Sequence, residues 1–155
     1  MLLAISGTPG TGKTEVAEAL AKLKRWRVIH LNDLAQKKGL YIGFDRKRDC
    51  KIVDLESLRE EVKKLHEDLI VESHYAHEFD ADIIIILRCH PKELRKRLES
   101  RRWSKKKIDE NVESEIMEIC RQDSWEAGKK ALEVDTTGRE PKEVAEEILK
   151  RLHQS

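Results

Sequence analysis

Apolar positions follow two alternating rhythms along the chain. Leu2-Leu3-Ala4-Ile5-Ser6 is a short apolar run of the kind a buried strand requires. Beyond residue 14, Val16, Leu20 and Leu23 recur at helical spacing, with Ala17, Ala19 and Ala21 between them. Arg27-Val28-Ile29-His30-Leu31 predicts a second strand, and Asn32 or Asp33 is placed to cap a short helix through Leu34 and Ala35. From Gly39 to Val53 the rhythm weakens among glycines and charges, which predicts a loop-rich insertion rather than a core element. Asp54 then caps a helix that carries Leu55, Leu58, Val62 and Leu65 on one face. Leu69-Ile70-Val71 predicts a third strand. The aliphatic run Ile83-Ile84-Ile85-Ile86-Leu87 predicts a fourth, buried on both faces at the centre of a parallel sheet. Pro91 suits the first turn of a helix with Leu94 and Leu98 inward, and Ile108, Val112, Ile116 and Ile119 form another helical face. Leu132-Glu133-Val134 predicts a fifth strand. Gly138 and Pro141 lead into a last helix with Val144, Ile148 and Leu152 inward. Strands alternating with helices in this way predict an α/β fold: a three-layer domain over residues 1–155 with a five-stranded parallel sheet.

Between the first strand and first helix stands Gly7-Thr8-Pro9-Gly10-Thr11-Gly12-Lys13-Thr14. It fits the phosphate-binding pattern G-x-x-x-x-G-K-[ST] at every fixed position, in the strand–loop–helix context that the pattern requires. Glycines such as Gly10 and Gly12 let backbone N–H groups converge on a polyphosphate. Lys13 reaches the β- and γ-phosphates, and the Thr14 hydroxyl is the expected Mg²⁺ ligand. The N–H groups of Lys13, Thr14 and Glu15 lie at a helix N-terminus, where the dipole favours an anion. This pattern predicts binding of ATP or another nucleoside triphosphate with Mg²⁺.

Composition narrows the remaining classes. The 155 residues include 31 basic and 30 acidic side chains, a formal charge of +1, so no global charge argues for nucleic acid or a membrane surface. No apolar run approaches the ~20 residues that span a bilayer. The chain enters a core strand at once, so no signal peptide is expected. Cys50, Cys89 and Cys120 are scattered and lack metal-site spacing, which suits free thiols and a cytoplasmic location.

Two further groups of residues carry chemistry. Glu72 closes the third strand and His74 follows it. A carboxylate there can orient metal-bound water, and an imidazole can position a nucleophile or shuttle a proton. From Pro91 to Lys107, nine basic residues face only Glu93 and Glu99. Most of that run reads as a solvated face. Arg97 and Arg101, four apart on one helical face, are suited to clamp a polyphosphate. An RNA-backbone contact is the other reading of the basic helix. Asp135-Thr136-Thr137-Gly138 imitates a GTPase D-x-x-G, but it follows the last strand, and no N-K-x-D motif occurs.

These residues together resemble the adenylate kinase isoenzyme 6 group, also called coilin-interacting nuclear ATPase proteins, and in particular its archaeal members. The resemblance runs through Gly7 to Thr14, Asp33-Leu34-Ala35, Leu40-Tyr41, Gly43, Asp45, Asp49-Cys50, Asp54 and Glu72-x-His74. It continues in Ile86-Leu87-Arg88, Arg97-Leu98-Glu99-Ser100-Arg101, Lys106-Lys107-Ile108 and Asn111. It implies a nucleoside monophosphate kinase that transfers the γ-phosphoryl of ATP to AMP and also hydrolyses ATP. It further implies a role in small-ribosomal-subunit maturation through a ribosomal protein of the S-eleven family, close to rRNA. By position, residues 30–53 would be the monophosphate-binding insertion and residues 100–110 a short lid. Arg101 would contact ATP phosphates, Arg97 would stack on adenine, and the loop holding Gly138 would border it. Three departures stand out: Glu72 where the family carries Asp, Arg102-Trp103 in place of a Gly-aromatic pair, and Arg46 and Arg48 in the insertion.

Both implied activities start from one site. As a kinase, the chain would use Lys13, Arg101 and Mg²⁺ on Thr14 and Glu72 to neutralise the transferring phosphoryl group, with lid closure excluding water. As an assembly ATPase, it would use His74 to position hydrolytic water and the insertion to dock a protein.

Overall fold

The expected strands assemble into one parallel sheet. The computed structural model describes residues 1–126 and 131–154. In chain order these form β1 (Leu2–Ser6), α1 (Lys13–Lys24), β2 (Arg27–His30), α2 (Leu31–Lys38), β3 (Tyr41–Asp45), β4 (Cys50–Val53) and α3 (Leu55–Lys63). There follow β5 (Leu69–Glu72), a 3-10 turn (Ala76–Glu78), β6 (Ile83–Arg88), α4 (Pro91–Ser100), α5 (Lys105–Ile116), α6 (Ile119–Glu126), β7 (Ala131–Asp135) and α7 (Pro141–His153). The sheet order is β2-β5-β1-β6-β7, with every pair parallel. Among the described residues no helix is long and apolar enough to cross a membrane.

Strand alternation divides the core in two. Leu3, Ile5, Ile85 and Leu87 point to one face and pack with Val16 and Leu20 of α1 and Val144 and Ile148 of α7. Ala4, Ile84 and Ile86 point to the other face, against Leu31, Ala35, Leu58, Val62 and Phe79. Covering both faces explains why β6 is an unbroken aliphatic run. A smaller cluster of Leu94, Leu98, Ile108 and Val112 joins α4 to α5.

Local signals agree with the structure at several helix starts. The Asp54 carboxylate accepts the Ser57 N–H at 3.2 Å, and Pro91 opens α4. Other expectations are corrected. The segment 39–53 holds an antiparallel hairpin, β3–β4, because Tyr41, Ile42, Phe44, Ile52 and Val53 favour extended backbone around a turn that Asp45 closes. Neither Asn32 nor Asp33 caps α2: the helix begins at Leu31, with His30 at the cap position and no side-chain cap bond. Ile108 and Val112 are buried, but Ile116 and Ile119 are exposed. The helix ends at Ile116 with Met117 at the cap, Glu118 takes a left-handed φ of 55°, and Glu115 occupies the inward position.

Candidate active site

Sheet order fixes where a ligand sits. β1 lies between β5 and β6, so the glycine loop at its carboxyl end opens on the crevice that doubly wound sheets use. Gly10 packs so tightly that a Cβ there would lie 2.8 Å from both Leu94 Cδ1 and Leu98 Cδ2. Its φ of 93° also disfavours any side chain. The loop is therefore moulded against α4 as well as around its own interior.

Inside it, the Thr8 carbonyl accepts from Thr11 Oγ1 at 2.8 Å and from Lys13 Nζ at 3.2 Å. Lys13 is buried, and burial, only partly offset by Glu72, lowers its pKa to about 8. Thr14 Oγ1 donates to Glu72 Oε2 at 3.3 Å, which brings the glycine loop and the β5 end together. His30 Nδ1 donates to the same Oε2 at 2.5 Å, and its Nε2 is 3.3 Å from Glu18 Oε1. Burial opposes the charge on this imidazole, but the Glu72 bond and the carboxylates of Glu72 and Glu18 outweigh it and raise its pKa. His74, in the loop that follows β5, lies near enough to Lys13 to feel its charge. Surrounding protein, then the charges of Lys13, His77 and Arg48, lower its pKa, so the ring is neutral at pH 7. His74 keeps open surface, which makes the cationic neighbours the firmer cause.

A cavity of about 310 Å³ adjoins the loop, lined by Gly10, Gly12, Glu15, Arg97, Arg101, Thr136 and Arg139. The two arginines differ in their freedom. Arg97 donates to the Gly10 carbonyl at 3.2 Å, to the Thr136 carbonyl at 2.9 Å and to Glu93 at 2.5 Å. Arg101 lies 5.6 Å from the Trp103 ring and has no carboxylate partner among the described residues. Gly138 has a φ of 64° and donates its N–H to Glu93 at 2.9 Å, beside the cavity-lining Thr136 and Arg139.

Thr14 and Glu72 offer only oxygen donors, the set Mg²⁺ prefers. Among the described residues no group of three His, Cys, Asp or Glu side chains could cage a metal. That fits an ion shared with a polyphosphate, for which Thr14 and Glu72 suffice on the protein side.

Sequence reasoning missed a supporting layer. Buried Glu115 accepts from Thr8 Oγ1 at 2.8 Å, Arg88 Nε at 2.7 Å and the Cys89 N–H at 2.9 Å, binding α5 to the loop and to the end of β6. Arg88 also pairs with Glu118 and Glu133, so it is a structural cation. Thr136 Oγ1 donates to the Thr11 carbonyl at 2.9 Å. The signal available for Glu115 was its place one turn beyond Val112, on the inward face where a carboxylate needs partners.

Comparison with known proteins agrees with this geometry. The AAA domain family matches residues 3–118. A Methanosarcina acetivorans protein named "Putative adenylate kinase" is 40% identical over 159 residues, covering 97% of this chain and 85% of its own. A protein of the same name from Pyrococcus furiosus is 40% identical over 151 residues, covering 96% and 82%. The chain belongs to this family of archaeal adenylate kinase homologues. Its fold is shared with shikimate kinase from Acinetobacter baumannii, at 16% identity and a TM-score of 0.65 over 99% of this chain and 93% of that one. Deoxyadenosine kinase from M. mycoides is similar at 16% identity and a TM-score of 0.62, with complete coverage of both chains. The α/β architecture expected from the sequence is thus that of phosphate-loop kinases.

Proposed function

We propose that this protein is a nucleoside monophosphate kinase that transfers the γ-phosphoryl group of Mg²⁺-ATP to AMP. The observation that carries the reading is the convergence of Lys13, Thr14 and Glu72 beside a hairpin insertion, in a chain with archaeal adenylate kinase relatives. Gly10, Gly12 and the N–H groups of Lys13, Thr14 and Glu15 hold the β-phosphate at the α1 N-terminus. Lys13 leaves the Thr8 carbonyl for the β- and γ-phosphates, where an anion favours its protonated form. Mg²⁺, held by Thr14 and Glu72 with the nucleotide, supplies charge neutralisation. Arg101 swings from Trp103 to the transferring group. Arg97, fixed by Glu93 and Thr136, forms a wall for adenine with the loop around Gly138. An oxygen of the AMP phosphate attacks Pγ as the bond to the ADP oxygen breaks, so ATP and AMP give two ADP.

Residues 30–53 serve as the acceptor-binding insertion and residues 100–110 as the lid. Closure of both over neutral His74 keeps water from Pγ and favours transfer over hydrolysis. The finer kinship to adenylate kinase isoenzyme 6 proteins is supported by the Leu40–Asp54 pattern and by Glu72-x-His74.

A second reading is that the chain is mainly an ATPase that assists small-subunit assembly, in the cytoplasm and close to rRNA, by docking a ribosomal protein of the S-eleven family. Exposed Ile42, Phe44 and Ile52 on the hairpin favour it, since apolar surface there suits a protein better than a phosphate. Nucleotide balance separates the two. With AMP present, the kinase reading expects ADP to rise about twice as fast as ATP falls, with little free phosphate. Phosphate equal to ADP, indifferent to AMP, would leave only the ATPase.

A further inference from the structure

His30 joins three parts of the molecule. It closes β2, holds the cap position of α2 and therefore roots the insertion, and lies opposite Glu72 in the parallel β2–β5 register. Its Nδ1 is 2.5 Å from Glu72 Oε2, the same oxygen that is 3.3 Å from Thr14 Oγ1. On the far side of the ring, Nε2 is 3.3 Å from Glu18 Oε1. Both ring nitrogens thus meet carboxylates, and the imidazole is held between α1 and the end of β5.

A glutamate needs such a brace more than an aspartate does. It carries an additional rotatable bond, and a carboxylate left loose at a strand end loses rotamer freedom whenever it must sit in one place. Losing a group that orients a metal-side ligand typically weakens metal affinity by about 10- to 100-fold. The brace also leaves room for its target: His30 and Thr14 both engage Oε2, and no donor among the described residues reaches Oε1. A carboxylate has about four acceptor sites, so capacity for metal-bound water remains.

We propose that His30 is a positioning residue that fixes the Glu72 carboxylate beside the Thr14 hydroxyl and so sets the Mg²⁺ affinity of the nucleotide-bound protein, with Glu18 orienting the ring. This rests on the reading above, in which Thr14 and Glu72 hold Mg²⁺ with the nucleotide.

The test is calorimetric titration of ADP into the full chain at a series of free Mg²⁺ concentrations, without turnover. The wild-type protein binds ADP more tightly as Mg²⁺ is raised, and the half-saturating Mg²⁺ is the readout. His30→Ala raises that value about tenfold, read against the ADP affinity of the same variant without Mg²⁺. His30→Asn, whose amide nitrogen takes the place of Nδ1, recovers to within about threefold of wild type. Glu18→Gln lies on an exposed side chain and carries no folding risk; it raises the value about threefold. A His30→Ala protein with unchanged or tighter Mg²⁺ dependence overturns the proposal, as does a Glu18→Gln protein identical to wild type. So does His30→Asn as defective as His30→Ala when ADP binding without Mg²⁺ is intact. If wild-type ADP binding ignores Mg²⁺ altogether, the metal-site reading itself falls, and the role of His30 with it.

Discussion

Removing the Glu115 carboxylate is the sharpest test of how α5 is tied to the glycine loop. The side chain is 3% exposed and accepts three hydrogen bonds, from Thr8, Arg88 and the Cys89 backbone. In Glu115→Ala, Arg88 keeps Glu118 at 3.1 Å and Glu133 at 3.2 Å, so its charge is not abandoned. Breaking a buried pair costs about 3–5 kcal/mol when the other charge is stranded, and the retained partners move this case to the low end. The Cys89 N–H loses its acceptor, which adds about 1–3 kcal/mol; the Thr8 hydroxyl can rotate elsewhere. The expected loss is about 4 kcal/mol, or roughly 10 °C in Tm for a chain of this size. Glu115→Gln behaves differently. Its oxygen can replace Oε2 toward Arg88 and Cys89, and its amide can donate to the Thr8 hydroxyl, which accepts as readily as it donates. Only the charge is lost, at about 1–2 kcal/mol. Urea denaturation at unchanged m-value measures both variants. Equal losses for Gln and Ala would refute the hydrogen-bond reasoning, and a loss below about 1 kcal/mol for Ala would refute the buried-anchor role itself.

Other expectations concern the nucleotide site. Lys13→Met keeps the aliphatic stem but removes the ammonium. It should lower turnover by at least about 10²-fold, as loss of one preorganised charge does, with Tm unchanged or raised because a buried charge disappears. Gly10→Ala puts a methyl 2.8 Å from Leu94 and Leu98, at φ 93°. It should cost about 1–3 kcal/mol by overpacking, read by urea denaturation, and weaken ADP binding. Arg101→Ala should lower kcat more than it raises KM for ATP, because an arginine without a carboxylate partner among the described residues can act on the transferring group; a change in KM alone would count against that role. Chelation of Mg²⁺ should abolish turnover while leaving the thermal unfolding of the nucleotide-free protein unchanged, since no side-chain cage for the ion exists among the described residues.

The sequence made the sheet legible because unbroken aliphatic runs such as Ile83–Leu87 admit few other structures. The glycine loop was legible because its glycine, lysine and threonine positions are fixed by the shape of a phosphate. The hairpin at 41–53 was not: Gly43, the charged turn and a pairing irregularity between Tyr41 and Gly43 break the two-residue rhythm that marks a strand. Ile119 deceived the helical count because α5 stops before a left-handed Glu118, and Ile116 because Glu115 takes the inward position beside it; an apolar pattern encodes neither. His30 and Glu115 were hidden for a related reason. Each acts through partners far away in sequence, and only the register of β2 on β5 or the packing of α5 on β6 brings those partners near.

The central claim is phosphoryl transfer to a nucleoside monophosphate, and the direct measurement follows the phosphoryl group itself. ATP labelled at the γ-phosphorus is mixed with Mg²⁺, AMP and the full chain, and the labelled products are separated within the first few per cent of turnover. The account predicts label in the β-position of ADP, with little in free phosphate, and none transferred by Lys13→Met. Label found only in free phosphate, at a rate that AMP does not change, would contradict it.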